Sequence, residues 1–176
     1  MALMRGIIYE GAEHRALSIK IVPGCSFDSV LRIFEAMRFP VSGVPDDRIS
    51  FAILELVSNS MRAHEERGSA EPITVRIWVD GRRLLATVSD RGGGFDPARL
   101  PYAIDANVET LDLMSPAFIA YRERYGNSRF GMGLVAVRKI FPIFSLKFVD
   151  SCDDELSWPS PEIEGTTILL GLALSA

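Results

Sequence analysis

The chain is 176 residues long, 48% hydrophobic and 24% charged, with Leu, Ile, Val and Phe along its whole length; that balance excludes intrinsic disorder and suits one domain, residues 1–176. Its formal net charge of −4 excludes a broad nucleic-acid surface, which needs clustered cations to displace counterions. Cys25 and Cys152 match neither a zinc spacing nor a disulfide framework, no apolar run reaches the roughly 18 residues that span a bilayer, and Met1 to Glu13 lacks a signal-like apolar stretch, so a soluble cytoplasmic protein with no membrane or direct nucleic-acid contact is expected.

In chain order, Ala16 to Val22 alternates apolar and polar residues and predicts a strand that Pro23-Gly24 stops. Ser26 can cap a helix carrying Val30, Ile33, Phe34 and Met37 at helical spacing, running to about Arg38 before Pro40. A second and longer helix starts at Pro45-Asp46-Asp47, where the acids suit the positive end of the helix dipole, and runs to about Arg67 before Gly68. Ile73 to Val79 and Leu84 to Ser89 are β-rich and joined by Asp80-Gly81-Arg82-Arg83, which predicts an antiparallel hairpin. Residues 95–130 hold no strong strand, only a short helix from Pro116 to about Arg124, and read as a long functional loop. Gly131 opens a helix to about Phe141, and Leu146 to Asp150 and Thr166 to Leu172 close the chain as strands. The sum is an α/β two-layer sandwich: a mixed, mostly antiparallel sheet covered on one face by about three helices.

The long helix carries two stripes. Ile49, Ala52, Ile53, Leu56 and Ser60 share the core face, while Glu55, Asn59 and Arg62, at i, i+4 and i+7, line its flank. A carboxylate, an amide oxygen and a guanidinium in that row can activate a nucleophile, hold a hard cation and grip a phosphate; the plainer alternative is a solvated face. Downstream, Asp90 ends a strand and is followed by Gly92, Gly93 and Gly94, so an acid able to accept from an exocyclic amine precedes backbone that a ligand can approach closely, or else caps an ordinary glycine-rich turn. Arg129-Phe130-Gly131-Met132-Gly133-Leu134 leads into a helix whose N-terminal amides suit phosphate.

Taken in this order, Glu55-x-x-x-Asn59, Asp90-x-Gly92-x-Gly94, Gly131-x-Gly133-Leu134 and Gly165-Thr166-Thr167-Ile168 resemble the N box, G1 box, G2 box and closing Gly-Thr strand of the GHKL ATP-binding fold, the family of the gyrase, histidine kinase and MutL ATPases. Within it the chain is most similar to the small bacterial anti-sigma-factor serine/threonine kinases, which share its length and lack a phosphoacceptor helix. The resemblance implies ATP and Mg²⁺ as cofactors and Glu55 as general base. It also implies Asn59 as Mg²⁺ ligand, Arg62 as a basic phosphate contact, Asp90 as adenine reader, and Gly92, Gly94, Gly131 and Gly133 as the backbone cradle. Arg129 falls where those kinases place an arginine on the γ-phosphate, and Thr166 falls near the adenine. The partners implied are a small regulatory protein as substrate and a sigma-type transcription factor, while the apolar side chains of residues 95–130 leave a surface for a partner or for a second copy in a homodimer.

Two departures stand out. Residues 95–130 form a longer ATP lid than such kinases carry, with an apolar insertion (Leu111, Leu113, Met114, Phe118, Ile119, Tyr121), and the N box runs on through Ser60-Met61-Arg62-Ala63-His64. His64 reads as a surface histidine, neither catalytic nor a metal ligand. Two other functions stay open: a non-catalytic nucleotide-sensing module whose lid grips a partner, and a histidine-kinase-type catalytic domain.

Overall fold

The computed structural model describes residues 6–41, 43–125 and 131–174, Gly131 by its backbone alone. Its strands are β1 (Ile7–Tyr9), β2 (Ala12–His14), β3 (Ala16–Ile21), β4 (Ile73–Asp80), β5 (Arg83–Asp90), β6 (Ile143–Val149), β7 (Glu155–Leu156) and β8 (Gly165–Ala173). The helices are α1 (Phe27–Glu35), α2 (Asp46–Arg67), α3 (Pro116–Tyr125) and α4 (Gly131–Ile140), with 3₁₀ turns at Pro97–Arg99 and Val108–Thr110. Six strands form one sheet in the order β3-β4-β5-β8-β6-β7, and each of its pairings is antiparallel.

Strand alternation gives the sheet one covered face. Val75 and Ile77 of β4, Leu84, Ala86 and Val88 of β5 and Ile168, Leu170 and Leu172 of β8 are all buried. Over them lie Val30 and Phe34 of α1, Ile49, Ala52, Ile53, Leu56 and Val57 of α2, and Leu134 and Val137 of α4, in one continuous core. The expected α/β sandwich with three covering helices therefore forms, driven by apolar side chains each contributing about 1.5–3 kcal/mol on full burial. The core stripe expected on α2 is buried along its length, Ser60 included.

The boundaries differ where tertiary contacts intervene. The Ser26 side chain caps α1 by accepting the Ser29 N–H, as expected, but the helix ends at Glu35. Arg38 is drawn into extended pairing with Ile8, each N–H meeting the other's carbonyl at 2.9 Å, so its backbone is no longer free for the helix. The β1–β2 hairpin that makes this contact was not anticipated; its turn, Glu10-Gly11, has φ of 51° and 78°, the positive-φ pair that suits strand twist. β6 begins at Ile143, ahead of the expected Leu146, because β8 pairs with it from Gly171 down to Gly165. α2 stops where expected: Gly68 takes φ 70°, and its N–H and that of Ser69 close on the Glu65 and His64 carbonyls.

Residues 95–125 are not a solvated loop. Tyr102 stacks on Phe118 with ring centroids 5.6 Å apart, and both pack with Val108 and with Val135 of α4 in a second apolar cluster that also takes in Leu111 and Leu113. Arg138 of α4 ties the same segment down, donating to the carbonyls of Ile104 (3.0 Å) and Ala106 (2.6 Å). Of the apolar insertion, Met114 and Ile119 are exposed.

Candidate functional site

Asp90, the last residue of β5, is 5% exposed and accepts hydrogen bonds at both carboxylate oxygens. Its Oδ2 accepts from the Ser60 hydroxyl (2.9 Å) and the Thr166 hydroxyl (2.6 Å), and its Oδ1 accepts the Gly92 N–H (2.8 Å). Three elements thus converge on one carboxylate: α2 through Ser60, β8 through Thr166, and the turn that follows β5. An ionised carboxylate has about four acceptor sites, so Oδ1 keeps room for a further donor. The register Asp90↔Thr166 brings the two side chains together, and that pairing is set by the β5–β8 ladder.

The glycine turn lies directly on α2. A Cβ on Gly92 would sit 2.5 Å from the Ala63 Cβ, so no larger residue fits without displacing the turn. Arg67, at the end of α2, reaches across to Glu164, donating to its carbonyl at 2.7 Å and its carboxylate at 2.6 Å, while the Gly93 N–H donates to the same carbonyl at 2.9 Å.

Of the Glu55, Asn59, Arg62 stripe, Asn59 is 3% exposed, which overturns the solvated-face alternative at its centre. Asn59 Oδ1 accepts from the Arg62 guanidinium at 2.5 Å, and its Nδ2 is buried with no hydrogen-bond partner among the described residues. An orphaned buried amide costs about 1–3 kcal/mol, so the position is built for a partner that arrives from elsewhere. Glu55 is half-buried and turned toward α4: a Cβ on Gly133 would fall 2.0 Å from its Oε1. The carboxylate therefore rests against the first turn of α4, at the positive end of the helix dipole.

A cleft of about 390 Å³ opens between these walls, lined on one side by Asn59, Arg62, Ala63, Gly92 and Gly94 and on the other by Tyr121 and Tyr125 of α3. That volume lies within the range of small-molecule sites. Glu55, Asp90 and Thr166 do not border it. Arg129 is outside the described residues, as is the stretch just before Gly131. Beside the cleft, Gly94 abuts Phe148, whose ring meets Phe95 at 5.6 Å and Trp158 at 5.2 Å.

His64 corrects the expectation of a surface histidine. It is 7% exposed, because Leu56, Ser60 and His64 continue the inward stripe of α2 at four-residue spacing. Its Nε2 accepts the Arg91 N–H at 2.7 Å. Burial holds its pKa below the ordinary 6.5; the charge of Asp90 and a backbone hydrogen bond to Glu71 oppose that, and Arg67 and Arg91 reinforce it. Ser60 and Arg138 are the other contributors that motif reading passed over; for Ser60 and His64 the signal was the helical spacing itself.

The donor set suits a nucleotide bound with a hard cation. Asn59 offers an amide oxygen beside an amide that no described residue pairs, and Gly92 and Gly94 bring backbone to the cleft wall. Among the described residues no cluster of three or more His, Cys, Asp or Glu is placed to hold a metal ion. No helix among those residues is long and apolar enough to cross a membrane.

Residues 45–175 match the family model described as Histidine kinase-, DNA gyrase B-, and HSP90-like ATPase, a span that opens at the start of α2 and takes in all four motif segments. No curated protein matches the chain significantly.

Proposed function

The chain belongs to the histidine kinase-, DNA gyrase B- and HSP90-like ATPase family, and from that premise we propose that it is an ATP- and Mg²⁺-dependent serine/threonine protein kinase of the anti-sigma regulatory type. In this reading residues 1–176 are one cytoplasmic domain with residues 95–130 as its lid; it phosphorylates a small regulatory protein and, in another state, holds a sigma-type transcription factor, with a homodimer as its working form. The observation that carries the reading is Glu55: a half-buried carboxylate resting on Gly133, where the helix that would face the phosphates begins.

The residues divide the work. Asp90 Oδ1 accepts the adenine amine while Ser60, Thr166 and the Gly92 N–H hold the carboxylate still. Gly92, Gly94, Gly131 and Gly133 let backbone approach the nucleotide. Arg62 leaves Asn59 for a phosphate oxygen, a stronger partner for a guanidinium, and so frees the Asn59 oxygen for Mg²⁺. The ion, when bound, neutralises charge on the β- and γ-phosphates. Arg129 pairs with the γ-phosphate. Glu55 takes the proton of a serine or threonine hydroxyl as that oxygen bonds to the γ-phosphorus; the bond to the β–γ bridging oxygen breaks and ADP leaves.

A second reading has its own observation. Glu55 does not border the cleft, which favours a nucleotide-sensing module that binds ATP and grips a partner without transfer. Incubation with labelled ATP and Mg²⁺, alone and with small acceptor proteins, separates the two. Label on an acceptor supports the kinase. Binding with no label transferred favours the sensing module, and release of free phosphate alone indicates an ATPase.

A further inference from the structure

The residues given roles above leave one buried ring unused. His64 lies between α2 and the first turn of the glycine segment, with Nε2 accepting the Arg91 N–H at 2.7 Å. The backbone of Glu71, at the start of the segment leading into β4, also lies beside the ring and favours a proton on it. Since Nε2 is an acceptor, the proton of the neutral ring belongs on Nδ1. The neutral Nδ1-protonated form keeps the bond from Arg91; an imidazolium would set an N–H against the Arg91 N–H. Arg91 sits between Asp90, whose carboxylate is the centre of the site, and Gly92, whose N–H closes back onto that carboxylate at 2.8 Å.

We propose that His64 is a positioning residue for nucleotide binding: its neutral ring fastens the Asp90-Arg91-Gly92 turn to α2, so that the Asp90 carboxylate and the Gly92 backbone are in place before a nucleotide arrives. This rests on the ATP-binding reading of the same site. Holding the turn ahead of time removes an ordering cost from binding. Losing the ring leaves the Arg91 amide without its acceptor. Arg67 on its own helix, Asp90 and Arg91 on the turn, and Glu71 through its backbone surround the imidazole. Arg62, Glu65 and Cys25 line the groove on its outer side.

Two substitutions test this. His64→Gln keeps an acceptor and a donor on one side chain; His64→Leu keeps neither. ATP affinity is measured by calorimetry from pH 5 to 8, thermal unfolding checks the fold, and hydrogen exchange at the Arg91 amide is followed without nucleotide. The leucine variant should bind ATP at least about tenfold more weakly, and its Arg91 amide should exchange faster; the glutamine variant should stay within about threefold of the wild type. As pH falls through the folded-state pKa of His64, which burial holds below 6.5, the wild type should lose affinity relative to His64→Gln, because both share every other titrating group, ATP included. A folded His64→Leu protein that binds ATP as the wild type does would overturn the proposal. If that variant does not fold, identical pH profiles for the wild type and His64→Gln overturn it, and divergent ones support it. A wild type that binds no ATP overturns the nucleotide reading of the site. Arg91 amide protection that is kept in glutamine and lost in leucine would still support the fastening role.

Discussion

Asp90→Asn is the sharpest single probe of the site. The carboxylate accepts two hydroxyls on Oδ2, from Ser60 at 2.9 Å and Thr166 at 2.6 Å, and the Gly92 N–H on Oδ1. An asparagine keeps the shape, and the hydroxyls can rotate to accept from its NH₂ group, so the fold should tolerate it. The carbonyl must then face Gly92 and the adenine amine as a neutral acceptor. Hydrogen bonds to charged groups contribute about 1.5–3 kcal/mol and neutral ones about 0.5–1.5 kcal/mol, so the exchange should weaken adenine recognition by about 1–1.5 kcal/mol, or about 5- to 13-fold in Kd. Calorimetry with ATP and GTP, on the wild type and the variant, measures it. The wild type should prefer ATP, whose exocyclic amine is the donor Asp90 needs, and the variant should lose much of that preference. An unchanged ATP affinity in Asp90→Asn, or equal binding of GTP and ATP by the wild type, would refute the assignment.

Glu55→Gln should leave ATP affinity nearly intact and slow phosphoryl transfer about 10²-fold or more in a single-turnover assay, since a base acts in the transition state. Asn59→Ala should abolish Mg²⁺-dependent binding, seen as equal nucleotide affinity with Mg²⁺ and with a chelator. His64, held below its ordinary pKa of 6.5, contributes stability that is complete above that value and is lost as pH falls through 6.5 and then through the lower folded pKa, so denaturant midpoints should drop from pH 7 to pH 5 in the wild type and drop less in His64→Gln. Phe118→Ala should remove about 3–5 kcal/mol of burial from the lid cluster, enough to melt it, so exchange protection across residues 97–125 should fall while β5 and β8 stay protected.

The type and order of the longer elements from β3 onward were legible because they rest on local periodicity, whereas β1, β2 and β7 were not anticipated. The core stripe of α2 follows from side chains at 100° spacing, its end from a glycine that alone takes φ 70° at no steric cost, and the β4–β5 hairpin from a two-residue turn between β-rich runs. For the same reason Glu55 and Asn59 fall on the expected helix, Asp90 at the expected strand end and Gly92 to Gly94 in the turn after it.

Tertiary structure decided whatever depends on residues distant in the chain. α1 ends at Glu35 because Ile8, far upstream, captures the Arg38 backbone. The loop at residues 95–125 is a packed cluster because Arg138 and Val135 of α4 meet carbonyls and rings that share no local pattern with them. Within the site, spacing alone could not tell that Asn59 is buried with an orphaned amide, that Glu55 rests on Gly133 outside the cleft, or that His64 holds the turn after Asp90. A helical stripe specifies which residues face inward, and only the opposing element determines what each of them meets.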